Sequence, residues 1–321
     1  MTILCHQMKK FRIFLQVIIG IVIIAIILYK IGIYDVISAL KKTDLFYFIL
    51  ACMAYICLNL ILTSRLSFLL AKIGYKIKFV TVFFSHVGGM ILSDITPGRG
   101  GYFLTPSLLK KKAGTPITDG MACIFAPQAI ELILKVGGAF AAIIYISSIS
   151  GIRRDILISV AIGASILLFV GIMMLVISWK DENVSFNFLK KIPFLRNFTD
   201  RIAPFKEQSI AIKSSMNAIL LLTVTGWFFA ALHWFYLGKA IGIELPYYVF
   251  FLLHPLLSVL MFAPTPAGLG VMELGAIGVL SIFGVPADMA AAFSILIRAS
   301  MILVDLTGLR SVLSSLKDIE L

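Results

Sequence analysis

The sequence predicts an all-α, polytopic membrane helix bundle. Three observations carry that prediction. Hydrophobic residues make up 60% of the 321 and charged residues only 14%. Mean hydropathy is +1.03, outside the range of soluble domains. Long apolar runs recur along the chain at the length that an α-helix needs to cross a bilayer, about 20 residues.

The runs fall at about 13–33, 45–64, 116–147, 155–178, 217–240 and 287–309. Lys9, Lys10 and Arg12 precede the first, which ends without a small-residue cleavage pattern and reads as a retained span rather than a signal peptide. Two further apolar regions are too short to span. Residues 79–92 would cover roughly 21 Å as a helix against a hydrocarbon core of about 30 Å. Lys72, Lys76 and Lys78 precede them and Lys110, Lys111 and Lys112 follow. Both clusters belong on the cytoplasmic side, so the chain between them should enter the membrane and return. The region 247–284 repeats the pattern, with one arm holding Pro255, a break, and a short arm at 271–283.

Six full spans and two oppositely oriented re-entrant hairpins, about eight membrane segments, thus form one domain over residues 1–321. The N- and C-termini are cytoplasmic, as expected of a multi-pass cell-membrane protein. Residues 179–214 interleave bulky apolar residues with Lys190, Lys191, Arg196, Arg201 and Lys206. They read as a basic cytoplasmic loop against the anionic leaflet. The sequons at Asn183 and Asn197 fall in this loop, so glycosylation there would overturn the topology. Opposed hairpins are what an inverted repeat produces. Pro97-Gly-Arg-Gly-Gly101 aligns with Pro266-Ala-Gly-Leu-Gly270, and Gly114-Thr-Pro116 with Gly284-Val-Pro286.

An ionisable side chain at membrane depth costs roughly 2.5–3.5 kcal/mol on insertion scales, so each needs compensation. The set comprises Asp94 and Arg99 at the first break, Glu131 and Lys135 in one span, Glu273 at the second break, and Arg298 and Asp305 in the last span. Glu131 and Lys135 have the spacing of a helical ion pair. Arg298 lies two turns from Asp305 and needs another partner, for which Glu273 is the nearest candidate. Broken backbone at depth is tolerated where protein or a water-filled cavity satisfies it. The breaks would then line a cavity where helix N-termini and Arg99 face an anionic group such as phosphate. Close helix packing is the competing explanation of the glycines.

Several chemistries have no support. Gly98-Arg-Gly-Gly101 lacks the Lys-Ser/Thr of a phosphate-binding loop, and Gly268-Leu-Gly270 lacks the dinucleotide spacing. Four cysteines show no ligand spacing. His86, His233 and His254, scattered over three segments, read as interfacial or packed residues. No catalytic residue, metal, cofactor or nucleic-acid partner is expected.

The stretches Thr96–Gly101, "TPGRGG", Pro264–Gly275, "PTPAGLGVMELG", and Gly284–Ser300, "GVPADMAAAFSILIRAS", together with Glu131, resemble the lysylphosphatidylglycerol synthase transmembrane region, the flippase-like domain family. The resemblance extends over essentially the whole chain. It implies that Pro266, Gly268, Gly270 and Glu273 form the family's signature turn and that Arg298 is its intramembrane arginine. Two positions depart: Tyr102 follows Gly101 where relatives carry glutamate, and Leu132 follows Glu131 where relatives carry arginine. Arg99 and Lys135 would then supply the positive charge.

In the larger enzymes of the family a soluble domain transfers lysine to phosphatidylglycerol and the membrane region moves the product. No such soluble domain is expected in this chain. The implied function is translocation of an anionic or aminoacylated phospholipid, or of a polyprenyl-phosphate-linked lipid. The expected binding residues are Gly98, Arg99, Gly100, Gly101, Glu131, Lys135, Pro266, Gly268, Gly270, Glu273 and Arg298. The alternatives are a membrane-embedded enzyme and a membrane subunit of a lipid-modifying transferase. Membrane lipids are the expected partners, with a lipid-modifying enzyme as a further one. Oligomeric state is left open.

Overall fold

The computed structural model describes residue 29 and residues 33–149, 154–180 and 202–316. Among the described residues every element is helical: α1 (Ile33–Lys41), α2 (Leu45–Lys72), α3 (Phe79–Asp94), α4 (Thr105–Ala113), α5 (Ile117–Ile149), α6 (Arg154–Trp179), α7 (Ile202–Lys213), α8 (Met216–Ala240), α9 (Tyr247–Leu260), α10 (Val271–Ile282), α11 (Ala287–Asp305) and α12 (Leu309–Leu316). Local chemistry sets several of the boundaries. The Asp44 carboxylate accepts the Phe46 amide at 2.8 Å and caps α2. Pro246 and Pro286 stand at the N-caps of α9 and α11, where an absent N–H costs nothing. Gly114 ends α4 in the left-handed conformation.

Among the described residues, five helices are long and apolar enough to cross a membrane: Leu45–Lys72, Ile117–Ile149, Ile162–Trp179, Met216–Ala240 and Ala287–Ser314. They match five of the six expected spans; the sixth, at 13–33, lies outside the described residues. Large apolar side chains such as Phe46, Ile49, Ile144, Phe169, Leu221 and Leu303 point outward from them, a surface suited to lipid. Of the basic stretch 179–214, residues 179–180 and 202–214 are described. There α7 packs onto the bundle: Trp179 Nε1 donates to the Ser209 carbonyl at 2.9 Å, and Phe205 meets Phe125 edge-on at 5.7 Å. Both sequons lie outside the described residues.

The remaining apolar helices, α3, α9 and α10, are short. They belong to two helix–turn–helix units, α3–α4 and α9–α10, each of which begins and ends at one end of α5. For the first unit that end is the N-terminus of α5, because Tyr75, before α3, donates its hydroxyl to Asp119 at 2.6 Å. For the second it is the C-terminus. Tyr145 stacks on Phe283, just past α10, and meets Tyr248, in the first turn of α9, edge-on.

The two units share a pattern of left-handed backbone positions. Positive φ occurs at Gly74, Gly98, Arg99 and Gly114 in one half, and at Gly242, Ala267, Gly268 and Gly284 in the other, at matching positions of the two motifs; Gly270 has no left-handed counterpart. The helices α2 and α8 pack antiparallel. Asp44 donates its amide to the Ala240 carbonyl at 2.7 Å, the Tyr55 and His233 rings meet at 5.2 Å, and Arg65 bonds Thr223 at 2.8 Å. Gly138 of α5 abuts Pro255 of α9, as Gly308, just past α11, abuts Val87 and Gly88 of α3. The turns themselves meet. Pro97 and Pro266 form an antiparallel bridge, the Gly98 amide donates to the Ala263 carbonyl at 3.3 Å, and the Ala267 amide donates to the Thr96 carbonyl at 3.4 Å.

The buried apolar residues divide into two cores. The larger, around α9, α10, α11 and the second half of α5, includes Trp234, Phe250, Leu257 and Phe293. The smaller, around the end of α2, α3 and the first half of α5, includes Leu69, Val82, Tyr102 and Ile130. Most of the buried charge collects between these two cores.

Candidate functional site: a charged cavity beside two broken helices

At the second break the backbone and a buried ion pair hold each other. Gly268 adopts φ +69°, and a Cβ there would overlap the Leu260 carbonyl and lie 2.6 Å from Met261 Cα, so the turn packs directly on the end of α9. Glu273, only 4% exposed, reaches back to accept the Gly270 amide at 2.6 Å, which caps α10 with a carboxylate. Arg298 of α11 donates Nε to the other oxygen of Glu273 and Nη2 to the Ala267 carbonyl at 3.2 Å. The last-span arginine therefore buttresses the turn.

At the first break Arg99 itself adopts φ +56°, a conformation costly for a residue with a Cβ. Its side chain is tethered on three sides. Nε donates to Ser93 Oγ at 2.9 Å, Nη2 pairs with Asp94 at 3.3 Å, and Nη1 lies 3.6 Å from Met261 Sδ. The Gly101 amide donates to Thr96 Oγ1 at 2.6 Å, and a Cβ on Gly101 would overlap the Leu92 carbonyl. Amides at both breaks are thus satisfied by the chain itself. The helix N-termini are not open anion sites, because the carboxylate of Glu273 stands where an anion would bind α10.

A cavity of about 340 Å³ lies beside the first break, between α2, α3, α5, α6, α8 and α9. Gly98, Arg99, Glu131 and Lys135 line it; Gly100, Gly101, Pro266, Gly268, Gly270, Glu273 and Arg298 do not. Lys135 donates to Glu131 Oε1 at 2.9 Å, the helical pair that its spacing predicted. The other oxygen, Oε2, accepts from Arg65 at 3.1 Å, and Arg65 also donates to Thr223. The apolar run at 45–64 leaves Arg65 just past its end. The structure places it 4% exposed inside the bundle, because α2 runs on to Lys72 rather than ending near residue 64. It supplies Glu131 with a second cation.

His86, His233 and His254 also converge on this cavity. His86 is held between the Tyr102 hydroxyl at 2.9 Å and Asn59 Oδ1 at 3.1 Å, and His233 pairs with Ser300 Oγ at 2.8 Å. His254 lies edge-on to Trp234 at 4.7 Å. They are packed residues of the interior rather than interfacial ones; no linear spacing could place them together, since each sits on a different helix. The lining also includes the apolar side chains of Leu58, Leu62, Leu134, Leu167, Val170 and Met174. Two cations and one carboxylate therefore face the space directly, with Arg65 behind them.

Outside the apolar bundle, the hydrogen bond to Asp119 is the main cause that pushes the Tyr75 phenol up to about 12. That bond ties the ends of the first unit together. Among the described residues no group of His, Cys, Asp and Glu could hold a metal ion.

Comparison with known proteins adds three findings. The family model described as the lysylphosphatidylglycerol synthase TM region matches residues 13–307. A UPF0104 membrane protein of Methanocaldococcus jannaschii is 27% identical over 216 residues, covering 66% of this chain and 88% of the relative. A UPF0104 membrane protein of Pyrococcus horikoshii is 24% identical over 318 residues, covering 91% of this chain and 92% of the relative.

Proposed function

The chain is an integral membrane protein that belongs to the lysylphosphatidylglycerol synthase transmembrane-region family, and from that premise we propose that it moves an anionic or aminoacylated phospholipid, or a polyprenyl-phosphate-linked lipid, between leaflets. One observation carries the reading: the cavity lining combines Lys135, Arg99 and Glu131 with aliphatic side chains. That combination suits a lipid whose phosphate-bearing head enters while its chains remain among apolar groups.

In this reading α3–α4 and α9–α10 are re-entrant hairpins dipping from opposite faces, related as an inverted repeat. The matched φ values and the antiparallel α2–α8 pair support that arrangement. The lysine clusters around the first hairpin then face the cytoplasm of a cell-membrane protein, as do both termini. Lys135 and Arg99 hold the phosphate, Glu131 keeps Lys135 oriented, and the bonded turns act as the pivot between the two halves. The protein acts as a transporter rather than an enzyme, alone or beside a lipid-modifying partner.

Purified protein in liposomes with a fluorescent head-group phosphatidylglycerol tests the proposal. Wild type should equilibrate the lipid between leaflets. Lys135→Met removes one charge-assisted contact of roughly 1.5–3 kcal/mol and should slow equilibration about tenfold or more, while Glu131 keeps Arg65 as its partner. Chemical alteration of the lipid, read by mass spectrometry, would establish an enzyme instead. Movement that starts only when a lipid-modifying enzyme is added would establish a subunit.

A further inference from the structure

Asp305, the last residue of α11, is 0% exposed. Tyr55 of α2 donates its hydroxyl to Oδ2 at 2.9 Å, and Oδ1 has no hydrogen-bond partner. Among the described residues no cation forms an ion pair with it. A buried carboxylate with one donor and no counter-charge is costly, and proton uptake removes most of that cost.

The groups around it strengthen the argument. Among the described residues, Asp94 of α3 and Arg99 at the first break are the charges that bear on it. Arg99 is already engaged by Asp94, whose Oδ1 meets Nη2 at 3.3 Å in an ion pair without hydrogen-bond geometry. From α8 the neighbour is His233, whose ring contacts Tyr55 and whose Nε2 pairs with Ser300 of α11. Arg99 is thus committed to one of the two carboxylates, Asp94.

The internal correspondence makes the position more telling. Asp305 follows Gly284 at the spacing at which Lys135 follows Gly114. Where one half puts a cation paired with Glu131, the other puts an acid beside a tyrosine.

We propose that Asp305 is a proton-binding site that couples the protein's conformational cycle to a proton gradient. In the conformer described, Asp305 is a neutral acid and Arg99 stays on Asp94, at the edge of the cavity. Loss of the proton from the acid to water leaves a carboxylate that competes with Asp94 for Arg99. The guanidinium and the turn that carries it shift, which changes the charge presented to a lipid head group. The coupling role rests on the transport reading; the proton-bound state of Asp305 does not.

Infrared difference spectroscopy of the purified full chain tests the bound proton. A carboxylic-acid C=O band present at neutral pH should vanish in Asp305→Asn and persist, shifted, in Asp305→Glu. Absence of the band from wild type at neutral pH overturns the proposal. Proteoliposomes with fluorescent head-group phosphatidylglycerol and an imposed pH gradient test the coupling. Wild type should reach a leaflet ratio biased by up to about tenfold per pH unit for one proton per lipid, whereas Asp305→Asn should equilibrate the lipid without bias. Wild-type movement indifferent to the gradient sinks the coupling while leaving transport intact. No wild-type movement under any gradient sinks the transport reading and the coupling with it, and the band then keeps Asp305 only as a proton-binding residue.

Discussion

Replacing Arg298 with methionine separates a structural role for this residue from a ligand-binding one. Glu273 would keep the Gly270 amide as a partner at 2.6 Å but lose the guanidinium, and the Ala267 carbonyl would lose its donor. Both members of the pair are shielded, with side chains 18% and 5% exposed. Removing one partner of such a pair typically costs about 3–5 kcal/mol. Glu273 keeps its bond to the Gly270 amide, so a loss at the lower end, about 3 kcal/mol, is expected. The double variant Arg298→Met, Glu273→Met replaces the pair by apolar groups and should recover much of it, losing chiefly the α10 cap of about 1 kcal/mol. Reversible denaturant unfolding in detergent, run as a double-mutant cycle, measures the coupling directly. Unchanged stability in Arg298→Met, together with loss of lipid movement, would refute the buttress and return Arg298 to the binding site.

Two further outcomes follow from the turns and their ties. Gly268→Ala must displace backbone at Leu260 and Met261 and should cost about 3 kcal/mol, whereas Gly98→Ala meets only the Phe262 carbonyl at 3.5 Å and should cost about 1 kcal/mol, measured by the same unfolding assay. Equal effects would show that the two turns are not constrained as described. Tyr75 should ionise near pH 12, seen as the phenolate absorbance missing from Tyr75→Phe; titration near pH 10 would mean that the bond to Asp119 is absent. The sign is fixed by the raised value: this tie is complete below the ordinary phenol range, and is lost as pH rises through 12.

Hydropathy and punctuation by themselves determined the membrane class, five of the six expected spans and the two interruptions, because lipid demands long apolar helices and glycine and proline mark where helices cannot continue. Short-range pairs were legible too. Glu131 and Lys135 lie one helical turn apart, so a helix alone brings them together. The contact between Arg298 and Glu273 could be anticipated because each was a buried charge lacking a local partner. Tertiary structure decided the rest. Arg65 looked like a topogenic charge until the length of α2 carried it inward to Glu131. His86, His233 and His254 lie far apart along the chain, and only the packing of three helices brings them to one cavity. The division of labour between the two breaks was likewise invisible in one dimension. Both motifs contain glycine and charge, yet one turn closes on its own ion pair while the other borders the cavity. Local sequence fixes which groups must be compensated, since burial cost is a property of the residue; which group compensates them depends on helix length and crossing, which only the folded chain sets.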